Sequence, residues 1–360
     1  MTKKHDVETQ DDTSLQMQKV PYLQYTLTIV RQAALLARRI QAEMISPALN
    51  KTDRSPVTVA DFAIQALVAR RLMETFSTDP LVAEEDSSAL TGSPLLDKVT
   101  GFVSSLVQDA TPQAVCEWID RGHTRVGAGL RPAPTRYWLL DPIDGTKGFL
   151  RGGQYAVALA LMVDGRPQIG VLGCPDLQMV IPDVEEIPYD DLSQVLNGCL
   201  VFAVRDRGAW MMPLEGADGI RPYSRLQVSI RRNPVHARLL GSFEAGHTNV
   251  DQIEQFAATL GIQAKPVLMD SQVKYAVLAA GQGDLMLRLL SPEKPDYREK
   301  AWDQAAGSLV VEEAGGRVTD LDGKPFDFSL GRELIHNRGV LVSNGRLHKA
   351  ALLALKAIGA

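Results

Sequence analysis

Asp141-Pro142-Ile143-Asp144-Gly145-Thr146 holds the residues of this chain best suited to chemistry. Two carboxylates stand close in sequence, Gly-Thr follows at once, and the apolar run Tyr137-Trp138-Leu139-Leu140 leads in. A strand that delivers two acids and then turns sharply into a helix start can hold a divalent metal beside a phosphate. Asp144 is expected just beyond the turn, so that both acids point at one ion. The backbone N–H groups from Gly145 onward are then left to receive an anionic oxygen. The plainer alternative is a Pro-Asp-Gly type of turn joining a strand to a helix.

Other acids occupy comparable places. Asp61 follows Ser55-Pro56-Val57-Thr58 at the expected start of a helix, Glu84 and Glu85 end a short strand, and Asp303 follows Trp302 at another helix start. Each has an ordinary alternative, Asp61 and Asp303 as helix caps and Glu84-Glu85-Asp86 as a solvated loop. Together they supply carboxylates from separate elements, the pattern of an oxygen-ligand site for a hard cation such as magnesium. Acids converging without a metal would repel and raise one another's pKa.

The elements that must position these acids follow from periodicity. Residues 1–20 read as a disordered tail, and Leu23, Leu27, Val30, Ala34, Ala37, Ile40 and Met44 recur at helical spacing. A polar loop over 46–55 and a helix over 61–76 come next, then a strand at 81–83 and a loop-rich stretch over 87–135 with one or two short helices. Strands are expected at 137–140, 156–163 and 169–173, with Val163-Asp164-Gly165-Arg166 as a hairpin signal between the last two. The second half reads as strands near 199–204 and 208–212, helices at 249–260 and 271–281, and an alternating strand at 284–290. A helix opening at Trp302-Asp303, strands near 316–319 and 339–343, and a helix at 345–358 complete it. Helices and strands mix without regular alternation, which predicts an α+β or mixed α/β architecture. The lobes are expected to be 21–173 and 174–360.

Several chemistries are excluded by pattern. The six histidines show no HExxH or HxxxH spacing, Gly145-Thr146-Lys147 has the wrong order for a P-loop, and Gly281-Gln282-Gly283 lacks a third glycine and precedes a strand. No GxSxG elbow occurs. A net charge of −5 argues against a general nucleic-acid binder. Cys116, Cys174 and Cys199 form neither a disulfide framework nor a zinc knuckle. With 45% hydrophobic and 22% charged residues, and no apolar run of roughly 18 residues, the expectation is a globular cytoplasmic protein, monomeric or weakly oligomeric, with no membrane or nucleic-acid partner.

Over roughly residues 22–358 the chain resembles the lithium-sensitive, magnesium-dependent phosphatases of the inositol monophosphatase superfamily. The shared motifs are Glu84-Glu85, Asp141-Pro142-Ile143-Asp144-Gly145-Thr146 and Trp302-Asp303-Gln304-Ala305-Ala306-Gly307. Ser55-Pro56-Val57-Thr58-Val59-Ala60-Asp61, Lys147-Gly148-Phe149-Leu150-Arg151-Gly152 and Asp270-Ser271-Gln272-Val273-Lys274-Tyr275, with Leu287-Arg288-Leu289, are similar to the 3′(2′),5′-bisphosphate nucleotidases within it.

The resemblance implies a layered α-β-α-β-α sugar-phosphatase-like fold in two lobes, with the site between them and a nucleotide as the small-molecule partner. It implies that Glu84, Asp141, Asp144, Asp303 and the carbonyl of Ile143 bind roughly two or three magnesium ions. Asp61 and Thr146 would orient or deprotonate the attacking water, and the N–H groups of Gly145 and Thr146 would hold the scissile phosphate. Ser271, Lys274 and Arg288 would recognise the nucleotide, chiefly its 5′-phosphate, and His247 would approach the sugar or phosphate. Without the resemblance, Lys274 and Arg288 read equally as snorkelling surface cations and His247 as a loop histidine. Gln304, where many relatives carry histidine, and Asp86, where many carry serine, depart from the pattern. The implied reaction is removal of the 3′-phosphate of 3′-phosphoadenosine 5′-phosphate, or of its sulfated form. The alternatives are an inositol polyphosphate 1-phosphatase and a catalytically silent nucleotide-binding regulator.

Overall fold

Nearly every side chain between Val59 and Ala69 is inaccessible to solvent, because this helix lies between a sheet and other helices. A computed structural model of the chain describes residue 17 and residues 19–44, 55–124, 135–180, 195–215, 223–243 and 249–360. Two long helices open it, α1 (Leu23–Met44) and α2 (Ser55–Thr75). In α1 the buried Leu23, Leu27, Val30, Ala34, Ala37 and Ile40 form the stripe that periodicity predicts. Helix α2 starts at Ser55 rather than at Asp61, since a proline in the first helical turn is tolerated where no N–H bond is needed. Of the expected tail, Met17 packs into the core and residues 1–16 and 18 lie outside the described residues.

Strand β1 (Leu81–Ala83) is followed by α3 (Leu95–Ser104) and α4 (Pro112–Asp120). Then come β2 (Arg136–Asp144), the short α5 (Thr146–Leu150), β3 (Ala156–Val163), β4 (Arg166–Val180), β5 (Val195–Val204), β6 (Gly208–Pro213) and β7 (Ser224–Leu226). These strands form one seven-stranded sheet in sequence order, in which β1 and β2 are parallel and all later neighbours antiparallel. The two-residue Asp164-Gly165 loop joins β3 to β4 as expected. Strand β4 passes unbroken through residues 173 and 174, so this sheet spans the position expected to part the lobes. The Gly/Pro-rich residues 125–134 lie outside the described residues.

The remainder builds a second sheet. Its elements are β8 (Leu239–Gly241), α6 (Val250–Leu260), β9 (Val267–Leu268), α7 (Val273–Ala279), β10 (Leu285–Arg288), α8 (Ala305–Glu313), β11 (Arg317–Thr319), β12 (Val340–Ser343) and α9 (His348–Ala357). The five strands run in the order β11-β12-β10-β8-β9. Three apolar clusters separate the layers. One packs α1 and α2 on the seven-stranded sheet, a second fills the space between the sheets around α7 and α8, and a third joins the outer face of the five-stranded sheet to α6 and α9. The stack is therefore α-β-α-β-α, as the resemblance implies.

The seven-stranded sheet and helix α8 come close where a side chain is absent. A Cβ on Gly170 of β4 would lie 2.8 Å from the Ala306 carbonyl oxygen and 3.0 Å from its Cα, both backbone atoms of α8. Gly170→Ala is therefore expected to destabilise the chain by about 1–3 kcal/mol through overpacking. Urea unfolding checks this, and an unchanged midpoint would mean that α8 can move aside.

Candidate active site

The two acids of the opening motif share a face because β2 carries a bulge. Asp141 sits opposite Ala158 and Asp144 opposite Ala156, so three steps along β2 match two along β3. Residues three apart on a regular strand face opposite sides, and one extra residue restores the same side. Ala156 and Ala158 point into the layer between the sheets, and both aspartates follow them. Pro142 lies within the bulge, where its missing N–H does least harm. The strand thus continues through Asp144 instead of ending at Leu140. The sharp turn comes one residue later, at Gly145, whose φ of 93° belongs to the left-handed region. A Cβ there would also lie 2.8 Å from that of Ser271.

Glu84 is placed by strand pairing. Parallel register matches Ala83 with Leu140, so Glu84 leaves β1 alongside Asp141. Buried Gln65 of α2 fixes this strand end. Its amide donates to the Glu85 carbonyl at 2.6 Å and the Ile119 carbonyl at 2.8 Å, and its oxygen accepts from the Glu85 N–H at 3.0 Å. Arg332 donates to the Ala83 carbonyl at 2.9 Å and lies 4.7 Å from the centre of the Trp302 ring. Neither Gln65 nor Arg332 was evident in the sequence, since no local pattern marks a residue that supports a distant backbone.

Glu84, Asp141, Ile143, Asp144, Gly145, Thr146, Ser271, Lys274, Arg288 and Asp303 line one cavity of about 450 Å³ between the sheets. Asp303 lies in the turn before α8, which opens at Ala305 rather than at Trp302. Asp61 is buried in the second turn of α2, away from the helix cap and outside the cavity lining, and is close enough to Glu84 and Glu85 for their charges to act on it. His247 lies outside the described residues.

The basic wall is held by named partners. Lys274 Nζ donates to Ser242 Oγ and the Met269 carbonyl, each at 3.2 Å. Arg288 projects from the face of β10 opposite Leu285 and Leu287. It pairs with Glu299 at 2.9 Å, approaches Asp303 at 3.7 Å and stacks 5.1 Å from the centre of the Tyr297 ring. Gln304 donates to Glu299 at 2.9 Å and accepts from the Tyr275 hydroxyl. Ser271, at a φ of 65°, precedes helix α7 rather than lying in it, so the expected helix over 271–281 is shorter.

Electrostatics bind the acids into one system. Desolvation first, and then the charges of Asp144, Glu84, Asp303 and Asp61, hold Asp141 well above the usual carboxylate range. Desolvation and Asp144 raise Asp303 in the same way, while Arg288 opposes the shift. Burial, with Glu85 and Glu84, raises Asp61, and burial with Glu84 lifts Glu85 to about 7. Desolvation lowers Lys274 to about 8 although Asp144 and Asp270 favour its charge.

These residues fit a hard cation. The donors are all oxygens, and the Asp141 Oδ1 atom is buried with no hydrogen-bond partner. Among the described residues no group of three His, Cys, Asp or Glu side chains is drawn in to full ligand geometry, so the carboxylates stand as neighbours rather than as a closed cage.

A model of the inositol monophosphatase family matches residues 16–359. The chain belongs to the inositol monophosphatase family. It is 38% identical over 353 residues to a 3′(2′),5′-bisphosphate nucleotidase of Schizosaccharomyces pombe, covering 93% of this chain and 95% of the relative. It is 41% identical over 342 residues to one of Oryza sativa, covering 91% of each. In fold it is similar to an inositol monophosphatase from Anabaena, with a TM-score of 0.54, 21% identity and coverage of 93% of this chain and 96% of that one. Among the described residues no helix is long and apolar enough to cross a membrane.

The raised carboxylates set a pH dependence. A carboxyl whose folded pKa exceeds its unfolded value binds more protons folded than unfolded, so stability falls as pH rises between the two values. For Glu85 the window runs from the ordinary value of 4.5 to about 7. The metal-free protein is expected to melt at lower temperature as pH rises through this window, and added magnesium to restore more stability at pH 7.5 than at pH 5. Calorimetric melting with and without magnesium checks both. A metal-free melting temperature that climbs over this range would overturn the assignment of a self-repelling acid cluster.

Proposed function

We propose that this chain is a magnesium-dependent phosphatase that removes the 3′-phosphate of 3′-phosphoadenosine 5′-phosphate, leaving AMP, and that it also accepts the sulfated form. The observation that carries the reading is one cavity lined both by the acids Glu84, Asp141, Asp144 and Asp303 and by the cations Lys274 and Arg288. The close relatives named as bisphosphate nucleotidases support it.

Glu84, Asp141, Asp144, Asp303 and the Ile143 carbonyl would hold roughly two or three magnesium ions. When bound, magnesium supplies Lewis-acid chemistry, making a nucleophile of water near neutral pH and offsetting charge on the leaving oxygen. Asp61 and Thr146 hold and orient the water. Its burial gives Asp61 the raised proton affinity that a base requires. Gly145 and Thr146 present backbone N–H groups to the departing phosphate. Ser271, Lys274 and Arg288 hold the 5′-phosphate, and His247 is assigned to the sugar or phosphate. The Lys274 ammonium, close to its neutralisation range, gains most from an anion beside it. We further propose that residues 21–173 carry most metal ligands and 174–360 the nucleotide contacts and Asp303, and that the enzyme is cytoplasmic and acts without nucleic-acid or membrane partners.

Phosphate release from 3′-phosphoadenosine 5′-phosphate, inositol 1,4-bisphosphate and AMP, with magnesium and with or without lithium, tests the reading. The first substrate is expected to turn over with AMP untouched and with millimolar lithium inhibiting. Preference for the inositol substrate would keep the metal site and overturn the roles of Ser271, Lys274 and Arg288.

Variants separate the two walls. Asp144→Asn is expected to abolish turnover while the far-ultraviolet circular dichroism stays unchanged. Lys274→Met should raise KM for the bisphosphate about 10-fold to 100-fold, the scale of a lost hydrogen bond to a charged group at about 1.5–3 kcal/mol. Retained turnover in the first variant, or an unchanged KM in the second, would remove that residue from its role.

A further inference from the structure

Gln272 touches both the end of β2 that carries Asp144 and the turn that carries Asp303, yet nothing in the reaction so far uses it. It is 2% exposed. Its backbone N–H donates to Asp144 Oδ2 at 2.6 Å. Its side-chain Nε2 donates to the Trp302 carbonyl at 3.1 Å, one residue before Asp303, and its Oε1 accepts from the Gly307 N–H at 3.0 Å, in the first turn of α8. The amide is thus read at both ends, and reversing it would set donor against donor and acceptor against acceptor.

The ordinary role for a polar residue here is to cap its own helix. Gln272 stands at the cap position of α7, but its side chain makes no capping bond there. It spends its hydrogen bonds on another loop instead. The backbone before it is also bent to this end. Ser271 adopts the left-handed φ of 65°, which a residue with a Cβ enters only at a cost. The turn is held by the Val273 N–H donating to Ser271 Oγ at 3.2 Å, by the ion pair between Asp270 and Arg151, and by the close approach of Ser271 to Gly145. Strain kept by such surroundings belongs with a positioned group, here the Gln272 N–H aimed at Asp144.

We propose that Gln272 is a positioning residue that ties the Asp144 carboxylate to the loop carrying Asp303, setting the two acids in register for magnesium. With one Asp144 oxygen committed to the Gln272 N–H, the carboxylate plane is fixed and the other oxygen is presented to a cation. The inference rests on the magnesium-dependent reading above.

The test is calorimetric titration of the full chain with magnesium alone, with no nucleotide present, for wild type, Gln272→Ala and Gln272→Met. Steady-state rates against magnesium and thermal melting run alongside. Groups that orient metal ligands usually contribute 10-fold to 100-fold in metal affinity. Gln272→Ala should therefore weaken magnesium binding at least about tenfold and raise the magnesium concentration for half-maximal rate by a similar factor. The KM for 3′-phosphoadenosine 5′-phosphate at saturating magnesium should stay within about twofold, while kcat falls. Gln272→Met keeps the side-chain volume and loses both hydrogen bonds, so it should weaken binding as alanine does and guards against a failure of the smaller side chain to fold.

Unchanged magnesium affinity in either folded variant, with only a lower melting temperature, would reduce Gln272 to a structural role and overturn the proposal. If wild type binds magnesium but ignores the bisphosphate, weaker binding in the variants upholds the clamp while the substrate reading fails. A wild-type chain that binds no magnesium overturns both.

Discussion

Carboxylates repel one another most strongly where water has been removed, and this molecule brings several of them together in such a place. Asp141 is almost fully enclosed, and Asp144, Asp303 and Glu84 act on it from three other positions in the chain. Left to themselves these groups would separate or take up protons. They remain because each is fastened to an element whose packing is settled elsewhere. Asp141 and Asp144 ride on an interior strand of the seven-stranded sheet, Glu84 on the parallel strand beside it, and Asp303 on the turn leading into a helix buried between two sheets. The apolar layers supply the stability that lets a repulsive cluster persist.

The opposite charges are also engaged. Arg288 answers Glu299 and Asp303, and Lys274 donates to a hydroxyl and a carbonyl while feeling Asp144. The cavity is thus a balanced arrangement in which a cation beside the acids and an anion beside the bases would each find partners already oriented. Such preorganisation lets binding energy go into recognition rather than rearrangement.

Much of the site was legible in the sequence because the acids stand at the ends of strands and the starts of helices, where composition and periodicity change together. Asp141, Asp144, Glu84 and Asp303 were found in that way. The elements were also readable where the apolar pattern is plain, as in the one-sided stripe of α1 and the continuous apolar run of β3. The misplaced details share a cause. Helix α2 begins earlier than the expected 61 because a first-turn proline costs a helix nothing. The bulge in β2 was invisible because only pairing with β3 reveals it. Gln65, Gln272 and Arg332 escaped notice because their work is done on backbone atoms far away in sequence, and sequence patterns report only near neighbours.

The order of strands in the smaller sheet has a consequence for how this chain is made. Strand β12 follows both β10 and β11 in sequence, yet it lies between them and pairs with both. During synthesis β10 therefore offers a bare hydrogen-bonding edge until β12 has emerged after it. Unpaired edges of this kind invite pairing with other chains. The layer that faces the cavity from the Arg288 side closes last, so a ribosome that stops short of β12 releases a chain with every acid of the site present and no finished wall opposite them.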